Sequence, residues 1–385
     1  MDSNPRRDRS EIDGRPFSLV IEFSFAMDAH LRRIAHIRTS DFSAHAHTAK
    51  LHAVHERAAT RLKRMTVNAV IEAAEATSLR EQLSRFVAAG STEVTVHDEK
   101  LLEEMARILP AGFPVYVANT PKTSPDDVVR VALRLQRLGL TASPHVIARR
   151  VADAARLRER LRTLAAAGVQ QVLLVAGDMA IPNGAFSSTV ELLESGVVQE
   201  AGIRRVGVAG HPEGHPVVPD DVLWQALERK QAIAREAGLT MHIATQFGFD
   251  ARTLGGFEAQ LRARGVDLPI HAGVAGPTPF TRLLKYAAHC GVGASLRAVA
   301  GNALSLGRLP HLVTRSDEML VGVYRAKQAI RDSRIFAPHF FAFGGVLETA
   351  RWLRAVIAGS FELDSAERGV LSPMRGEGRW REDIG

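Results

Sequence analysis

The sequence contains a single cysteine, Cys290, among 385 residues. One cysteine cannot build an internal disulfide framework or a cysteine-rich metal site. Long hydrophobic runs are also missing, and none reaches the roughly 18–20 residues of a membrane-spanning helix. The run from Met1 to Ser10 is polar and charged, unlike a secretory signal. We therefore expect a cytoplasmic protein with no membrane partner.

Positive charge is in modest excess, and the formal net charge is +7. Such a charge can accompany nucleic-acid binding. The arginines, however, fall in helical segments that also carry acids, as in 156–162 with Asp153 and Glu159 nearby. This mixture is typical of a solvated amphipathic face. We expect no nucleic-acid partner.

From about residue 91 onward, short apolar segments alternate with longer segments of helical spacing. The apolar segments are continuous, as in strands buried on both faces of a parallel sheet. Eight such units over roughly 255 residues predict an α/β fold, a (β/α)8 barrel of the TIM type. An open doubly wound sheet is the alternative, but no Gly-x-Gly-x-x-Gly follows the early strands. The predicted strands are Thr92–Val96, Val115–Asn119, Thr141–Val146, Gln171–Gly177, Arg205–Gly210, Met241–Phe247, Pro269–Val274 and His339–Phe343.

The segments that flank the predicted barrel differ from it. Residues 1–88 combine a strand-like run, Phe17–Phe25, with a long helical stretch rich in His and Arg, and we predict a mainly helical extension. It would pack on the barrel or mediate contacts in a homo-oligomer. Its histidines lack the cysteines or closely spaced carboxylates that would complete a metal site, so we predict none. The barrel is assigned to residues 89–360 and a polar C-terminal tail to 361–385, with a further short strand or turn at Gly291–Gly293.

Polar and aromatic side chains collect where the predicted strands end, which is where parallel barrels carry their chemistry. The richest end is Ala209–Pro216, with two histidines, a glutamate, two prolines and two glycines. Other ends carry an acid, an amide, histidines or aromatic rings. This inventory suits a planar heteroaromatic ligand, held by stacking and by hydrogen bonds to its edge.

Five segments in this order resemble the methylenetetrahydrofolate reductase family over about residues 90–350. They are Pro144–Arg149, Ala176–Asp178, Ala209–Pro216, Thr245–Asp250 and His339–Gly345. The resemblance implies a β/α barrel that binds FAD, with NADH or NADPH as the hydride source. It implies interconversion of 5,10-methylenetetrahydrofolate and 5-methyltetrahydrofolate. Because nicotinamide and folate would bind in turn at one flavin face, it also implies ping-pong kinetics.

The resemblance further implies a glutamate in the first strand as a general acid, which helps to open the five-membered ring of the folate to an iminium. Two residues are candidates, Glu22 and Glu93. The residues next to Glu22 match the family better than those next to Glu93. The spacing favours Glu93, because the second strand follows it after about 22 residues, as in an ordinary β/α unit. We favour Glu93. Partial burial would keep such an acid protonated near neutral pH.

The remaining roles follow from the same resemblance. Asp178 is predicted to be catalytic and to contact the substrate, tuning flavin and pterin by its charge. Gln246 is predicted to contact the pterin and, alternately, the nicotinamide, and Phe249 to contact the substrate. The predicted cofactor-binding residues are Asn119, Thr120, His145, Ala176, Gly177, Ala209, His211, His215, Arg229 and Lys230.

The chain departs from the family pattern at several of these places. Ala176 stands where an arginine commonly precedes the Gly-Asp pair, His211 where tyrosine is common, and Gly345 where a folate-contacting arginine is expected. Two other functions therefore stay open: a non-catalytic or altered-substrate barrel that binds folate or flavin, and a pterin-dependent methyltransferase. The absence of a cysteine cluster for a thiol-activating zinc disfavours the methyltransferase.

Overall fold

The computed structural model describes Arg61, residues 79–278, residues 316–363 and the backbone of residues 371–373. Within 79–278 the positions Asp178, Ala180, Asn183 and Phe249 are not described. Glu22, Phe17–Phe25, Cys290 and Gly291–Gly293 also lie outside the described residues, as do the site candidates Asp178 and Phe249. The described helices and strands belong to a compact unit that comprises residues 72–385.

Eight parallel strands close into a barrel, in the order β1 to β8. Closure is made by β8 against β1, where Ser91 pairs with His339 and Thr92 with Phe340. The predicted (β/α)8 barrel is confirmed. The strands are β1 (Ser91–Thr95), β2 (Pro114–Ala118), β3 (Thr141–Ile147), β4 (Gln171–Val175), β5 (Arg205–Gly210), β6 (Thr240–Phe247), β7 (Ile270–Ala275) and β8 (Ile335–Phe341).

The helices surround this barrel. Among those described, none is long and apolar enough to cross a membrane. The first, α1, spans 79–88. The others are α2 (Leu102–Ile108), α3 (Pro125–Arg137), α4 (Ala154–Ala166), α5 (Thr189–Glu194), α6 (Val197–Glu200), α7 (Asp220–Glu236), α8 (Arg252–Ala263), α9 (Ser316–Ala329) and α10 (Val346–Ile357).

Local sequence explains these helices, and α3 is a clear case. Ser124 caps its N-terminus by accepting hydrogen bonds from the backbone N–H groups of Asp126 and Asp127. Pro125 occupies the first turn, where a missing N–H costs nothing. Apolar residues then recur on one face, and Val128, Val131, Ala132 and Leu135 are buried against the strands.

The segments predicted to flank the barrel partly pack on it. In α1, which belongs to the predicted extension, Leu83, Phe86 and Val87 are buried in the core. Within the predicted polar tail, Phe361–Leu363 pairs antiparallel with Leu371–Pro373. Phe361 is buried, and the guanidinium of Arg80 lies 5.8 Å from its ring centre. Strands of three residues leave little periodic signal in a sequence.

The interior of the barrel is polar at its centre. The Tyr116 hydroxyl lies 2.8 Å from Nε2 of His242. Gln171 donates from Nε2 to the Tyr116 hydroxyl at 2.9 Å and to Oγ of Ser143 at 3.1 Å. Burial lowers the pKa of His242 well below its usual value, so its imidazole is neutral. Such a network stabilises one arrangement of the strands, because each buried polar group has a partner.

Glu258 on α8 is a fully buried carboxylate, and its replacement should be costly. Its oxygens accept hydrogen bonds from the Ser333 hydroxyl at 2.8 Å, the backbone N–H of Arg334 at 2.6 Å and Nη2 of Arg262 at 3.2 Å. Glu258→Ala would leave these donors unsatisfied at the entrance to β8. We expect the free energy of unfolding to fall by about 3–5 kcal/mol, as measured by urea denaturation.

The matched control is Glu104→Ala, because Glu104 forms an exposed ion pair with Arg351. We expect that change to cost less than about 1 kcal/mol. If the free energy of unfolding falls equally in the two variants, Glu258 does not organise the start of β8.

Candidate functional site

Glu93 on β1 is partly buried beside His339 on β8. Its side chain is 15% exposed, and its Oε2 lies 3.9 Å from Nε2 of His339. The imidazole is buried, and its Nδ1 is 2.8 Å from the Ser91 hydroxyl. When that hydroxyl donates to Nδ1, Nε2 carries the proton and can interact with the carboxyl group. The carboxyl group and the imidazole thus lie side by side inside the barrel, largely shielded from bulk water.

His145 on β3 adds a second imidazole near Glu93. Burial lowers its pKa to about 4, although the negative charge of Glu93 acts in the opposite direction. It is therefore neutral at neutral pH. Among the described residues, its buried Nε2 has no hydrogen-bond partner, and neither has the buried Oδ1 of Asn119 after β2. Buried polar atoms rarely stay unpaired, and a bound molecule would supply their partners.

The turn after β5 brings the two histidines of the Ala209–Pro216 segment together. The ring centres of His211 and His215 are 5.1 Å apart, with their planes nearly perpendicular. Gly214 allows this turn, because its φ is +79°. Nδ1 of His215 accepts hydrogen bonds from the backbone N–H groups of Val217 and Val218. This leaves Nε2 of the neutral ring as a donor.

Both histidines stay neutral near pH 7. Burial is the main cause for His211, whose pKa falls to about 4, and the charges of His215 and Lys230 add to it. Burial also lowers the pKa of His215, with a further contribution from Arg149. Two neutral imidazoles at a strand end can stack and donate or accept hydrogen bonds without adding charge.

Lys230 on α7 is a buried ammonium group. It lines a cavity of about 90 Å³ together with Ala209, His211, Asp220 and Trp224. The side chain is 8% exposed, and burial lowers its pKa to about 8. It forms no ion pair or hydrogen bond with any residue in the described part of the chain. A buried cation without a partner is costly, and an anionic ligand would offset that cost.

Gln246 and a group of phenylalanines line the ends of β6 and β8. The Gln246 amide donates from Nε2 to the carbonyl of Gly214 at 3.3 Å, which links β6 to the turn after β5. The rings of Phe247 and Phe343 are 4.8 Å apart, and Phe341 stacks on Phe343. Phe343 has a φ of +46°, which is strained for a bulky residue. Strain of this kind is concentrated at functional sites.

Other predicted site residues are placed as follows. Gly177 has a φ of +93°, and Ala176 accepts a hydrogen bond from the backbone N–H of Arg149. Thr120 bonds through Oγ1 to Thr123, and its carbonyl accepts from Arg150. Arg229 is 46% exposed and paired with Glu194 and Glu236, away from the cavity that contains Lys230. The structure thus places Glu93 near His339 and His145, and His211 near Lys230, whereas Arg229 pairs with Glu194 instead.

Two residues near these groups had no individual role in the sequence-based prediction. His339 and Arg149 each belong to a segment that resembles the family, but the resemblance implies no role for either residue. His339 is a buried polar residue within a strand, an unusual combination that could have found it. Arg149 is half-buried in the short helical turn after β3. No group of His, Cys, Asp and Glu in the described ranges is arranged to hold a metal ion.

Comparison with known proteins bears on this geometry. The family model described as "Methylenetetrahydrofolate reductase" matches residues 91–295, more than half of the chain. The chain belongs to the methylenetetrahydrofolate reductase family. A 5,10-methylenetetrahydrofolate reductase of Pectobacterium carotovorum subsp. carotovorum is 30% identical over 156 residues, which is 40% of this chain and 49% of that protein. The chain thus spans about half the length of this curated relative. The matched segment of the family begins at β1 and includes Glu93 and the turn after β5.

Proposed function

We propose that this member of the methylenetetrahydrofolate reductase family is an FAD-dependent oxidoreductase. It interconverts 5,10-methylenetetrahydrofolate and 5-methyltetrahydrofolate, with NADH or NADPH as the hydride source. The observation that carries the proposal is the Glu93–His339 pair, an acid held inside the mouth of the barrel near the neutral imidazole of His145. An acid in such a place can donate a proton to a substrate with little interference from water.

The residues present fit a flavin dinucleotide. The unpaired ammonium of Lys230 would neutralise a phosphate. The buried Nε2 of His145 and Oδ1 of Asn119 lack partners that the polar edge of a flavin could supply. When bound, FAD would take a hydride from the nicotinamide and pass it to the folate.

Glu93 would then act on the substrate itself. Its proton goes to the ring nitrogen that leaves when the five-membered ring opens, and the remaining nitrogen keeps the one-carbon unit as an iminium. A hydride added to that carbon gives the methyl group. His339 would hold the carboxyl group and stabilise the carboxylate left after proton transfer. Gln246 would orient the pterin through its amide, since its side chain is already anchored to Gly214.

The proposed nicotinamide and folate sites overlap at the ends of the strands. Nicotinamide and folate both have to reach the same ring through the ends of the strands, so they would bind in turn. We therefore expect initial velocities at several fixed folate concentrations to give parallel double-reciprocal lines. Purified protein should become yellow with FAD and oxidise NADH or NADPH with menadione as acceptor.

The proposal fails if the protein stays colourless after FAD addition and shows no oxidation of NADH or NADPH with menadione. Intersecting lines would remove the ping-pong sequence but leave the flavin in place. Folate binding without any turnover would instead favour a non-catalytic barrel.

A further inference from the structure

Arg149 is a half-buried arginine just after β3, and the partners of its side chain among the described residues are backbone carbonyls. Its Nε donates to the carbonyl of Ser187 and its Nη1 to that of Met179, both at 2.8 Å. It forms no ion pair with any described residue. By contrast, Arg134 and Arg160 on the outer helices both pair with acids. Arg149 is therefore a fixed positive charge without a described counter-ion.

The position of Arg149 brings this charge to the mouth of the barrel. Its backbone N–H donates to the carbonyl of Ala176, which ties the end of β3 to the end of β4. A Cβ atom on the adjacent Gly177 would lie 2.5 Å from Ile147 Cγ2 and 4.0 Å from Arg149 Cβ. The backbone of Gly177 thus packs closely against the side chain of Ile147. The two carbonyl bonds direct the guanidinium to the segment that follows β4.

The turn after β5 lies near two such charges. Arg149 is close enough to His215 to lower its pKa, and Lys230 does the same to His211. Neither cation has an ion-pair partner in the ranges that the structure describes. Two unpaired cations near one turn are the arrangement expected around a ligand with two anionic groups.

We propose that Arg149 binds one phosphate of the FAD diphosphate, while Lys230 binds the other. This inference rests on the proposed function, because it names residues of the same site. Nη2 of Arg149 has no hydrogen bond to a described residue and would donate to the phosphate oxygens. Arg149 follows β3 and lies beside Ala176, which follows β4 and has no charged side chain of its own.

The competing explanation is that Arg149 only anchors the segment after β4 through its two carbonyl bonds. Dissociation constants for FAD and for riboflavin separate the two, because riboflavin has no phosphate. For Arg149→Met, we expect FAD binding to weaken roughly 10- to 100-fold and riboflavin binding to stay within about twofold. The measurement is the quenching of flavin fluorescence as the protein is titrated into each ligand.

Arg150→Met is the matched control, because Arg150 is the next residue and also donates to a carbonyl, that of Thr120. It should leave both affinities near those of the wild type. Equal weakening of FAD and riboflavin in Arg149→Met would overturn the proposal and make Arg149 an anchor of the loop. Unchanged FAD affinity would overturn it as well.

A second probe separates this inference from the proposed function. If wild-type protein binds neither FAD nor riboflavin, the proposed function is wrong. Inorganic pyrophosphate that raises the Tm of wild-type protein but not of Arg149→Met would then still support a diphosphate site. No effect of pyrophosphate on either protein would remove that site too.

Discussion

Glu93→Gln is expected to slow folate reduction by about 10²- to 10⁴-fold and to leave reduction of the bound flavin by NADH or NADPH within a few-fold of wild type. Glutamine has the size of glutamate and can keep its place beside His339, but it cannot donate an acidic proton. General acid catalysis contributes about 10²- to 10⁴-fold, so the folate half-reaction should slow by that factor. Stopped-flow absorbance of the flavin measures the two half-reactions separately.

The control for this change is Glu99→Gln, in the short helical turn Val96–Leu101 after β1. Glu99 pairs with Arg130 and Arg134 on α3, outside the barrel. That variant should retain both half-reactions. If folate turnover persists in Glu93→Gln, the acid is another residue, and Glu22 is the alternative from the sequence. If both half-reactions fall together, Glu93 is needed for the structure of the site and its role as the acid is unsupported.

Lys230→Met should weaken FAD binding and at the same time stabilise the protein without cofactor. Loss of a charge-assisted hydrogen bond to a phosphate costs about 1.5–3 kcal/mol, or roughly 10- to 150-fold in affinity. In the folded protein burial lowers the pKa of Lys230 to about 8 from its usual 10.5. Because the charged form is disfavoured on folding, the ammonium costs about 3 kcal/mol at pH 7. Methionine removes that cost and fills a similar volume.

The pH dependence of stability has a definite sign. The cost is fully present below pH 8, where Lys230 is charged in both folded and unfolded states. It declines as the pH rises from about 8 towards 10.5, so the wild-type apoprotein gains stability there. In the same range FAD affinity should fall, because the folded apoprotein loses the charge that binds phosphate. Lys230→Met should show neither change.

Lys327→Met provides the control for Lys230→Met. The Lys327 ammonium donates to the carbonyl of Ile335 at 2.6 Å, so its removal should destabilise the protein and leave FAD affinity unchanged. Urea denaturation and flavin fluorescence titration report the two quantities. An apoprotein that is less stable in Lys230→Met, with FAD affinity unaltered, would mean that Lys230 is an ordinary structural residue.

The barrel could be predicted because its signal is periodic and local. Each strand is a short continuous apolar run, and each helix has an apolar face, so the order of elements follows from the letters alone. The β5 strand was predicted with the bounds that the structure shows, Arg205–Gly210. The β8 strand begins at Ile335, before its predicted start at His339. It contains Pro338, whose missing N–H normally argues against a strand.

The site could be predicted only in outline, since its contacts depend on closure of the barrel. Ser91 and His339 are separated by 248 positions and become neighbours when β8 meets β1. Arg229 and Lys230 show a second reason. Adjacent residues on a helix project about 100° apart, and the sequence does not fix the rotation of α7 against the barrel. The structure places Lys230 in the cavity and Arg229 with Glu194.

At Gly345 the structure explains why the arginine expected from the family resemblance is absent. A Cβ atom there would lie 3.0 Å from the carbonyl oxygen of Pro277 and 3.3 Å from that of Ala342. An arginine at this position would therefore require the ends of β7 and β8 to move apart. The expected contact of an arginine with the folate has no equivalent at this residue.

The proposed flavin-dependent reduction of folate is tested most directly in the absence of oxygen. NADH or NADPH, and then 5,10-methylenetetrahydrofolate, are added to the FAD-loaded protein. The account predicts that NADH or NADPH bleaches the visible absorbance of the flavin, and that 5,10-methylenetetrahydrofolate added next restores it with formation of 5-methyltetrahydrofolate. A flavin that neither nucleotide reduces, or a reduced flavin that this folate does not reoxidise, would contradict the account.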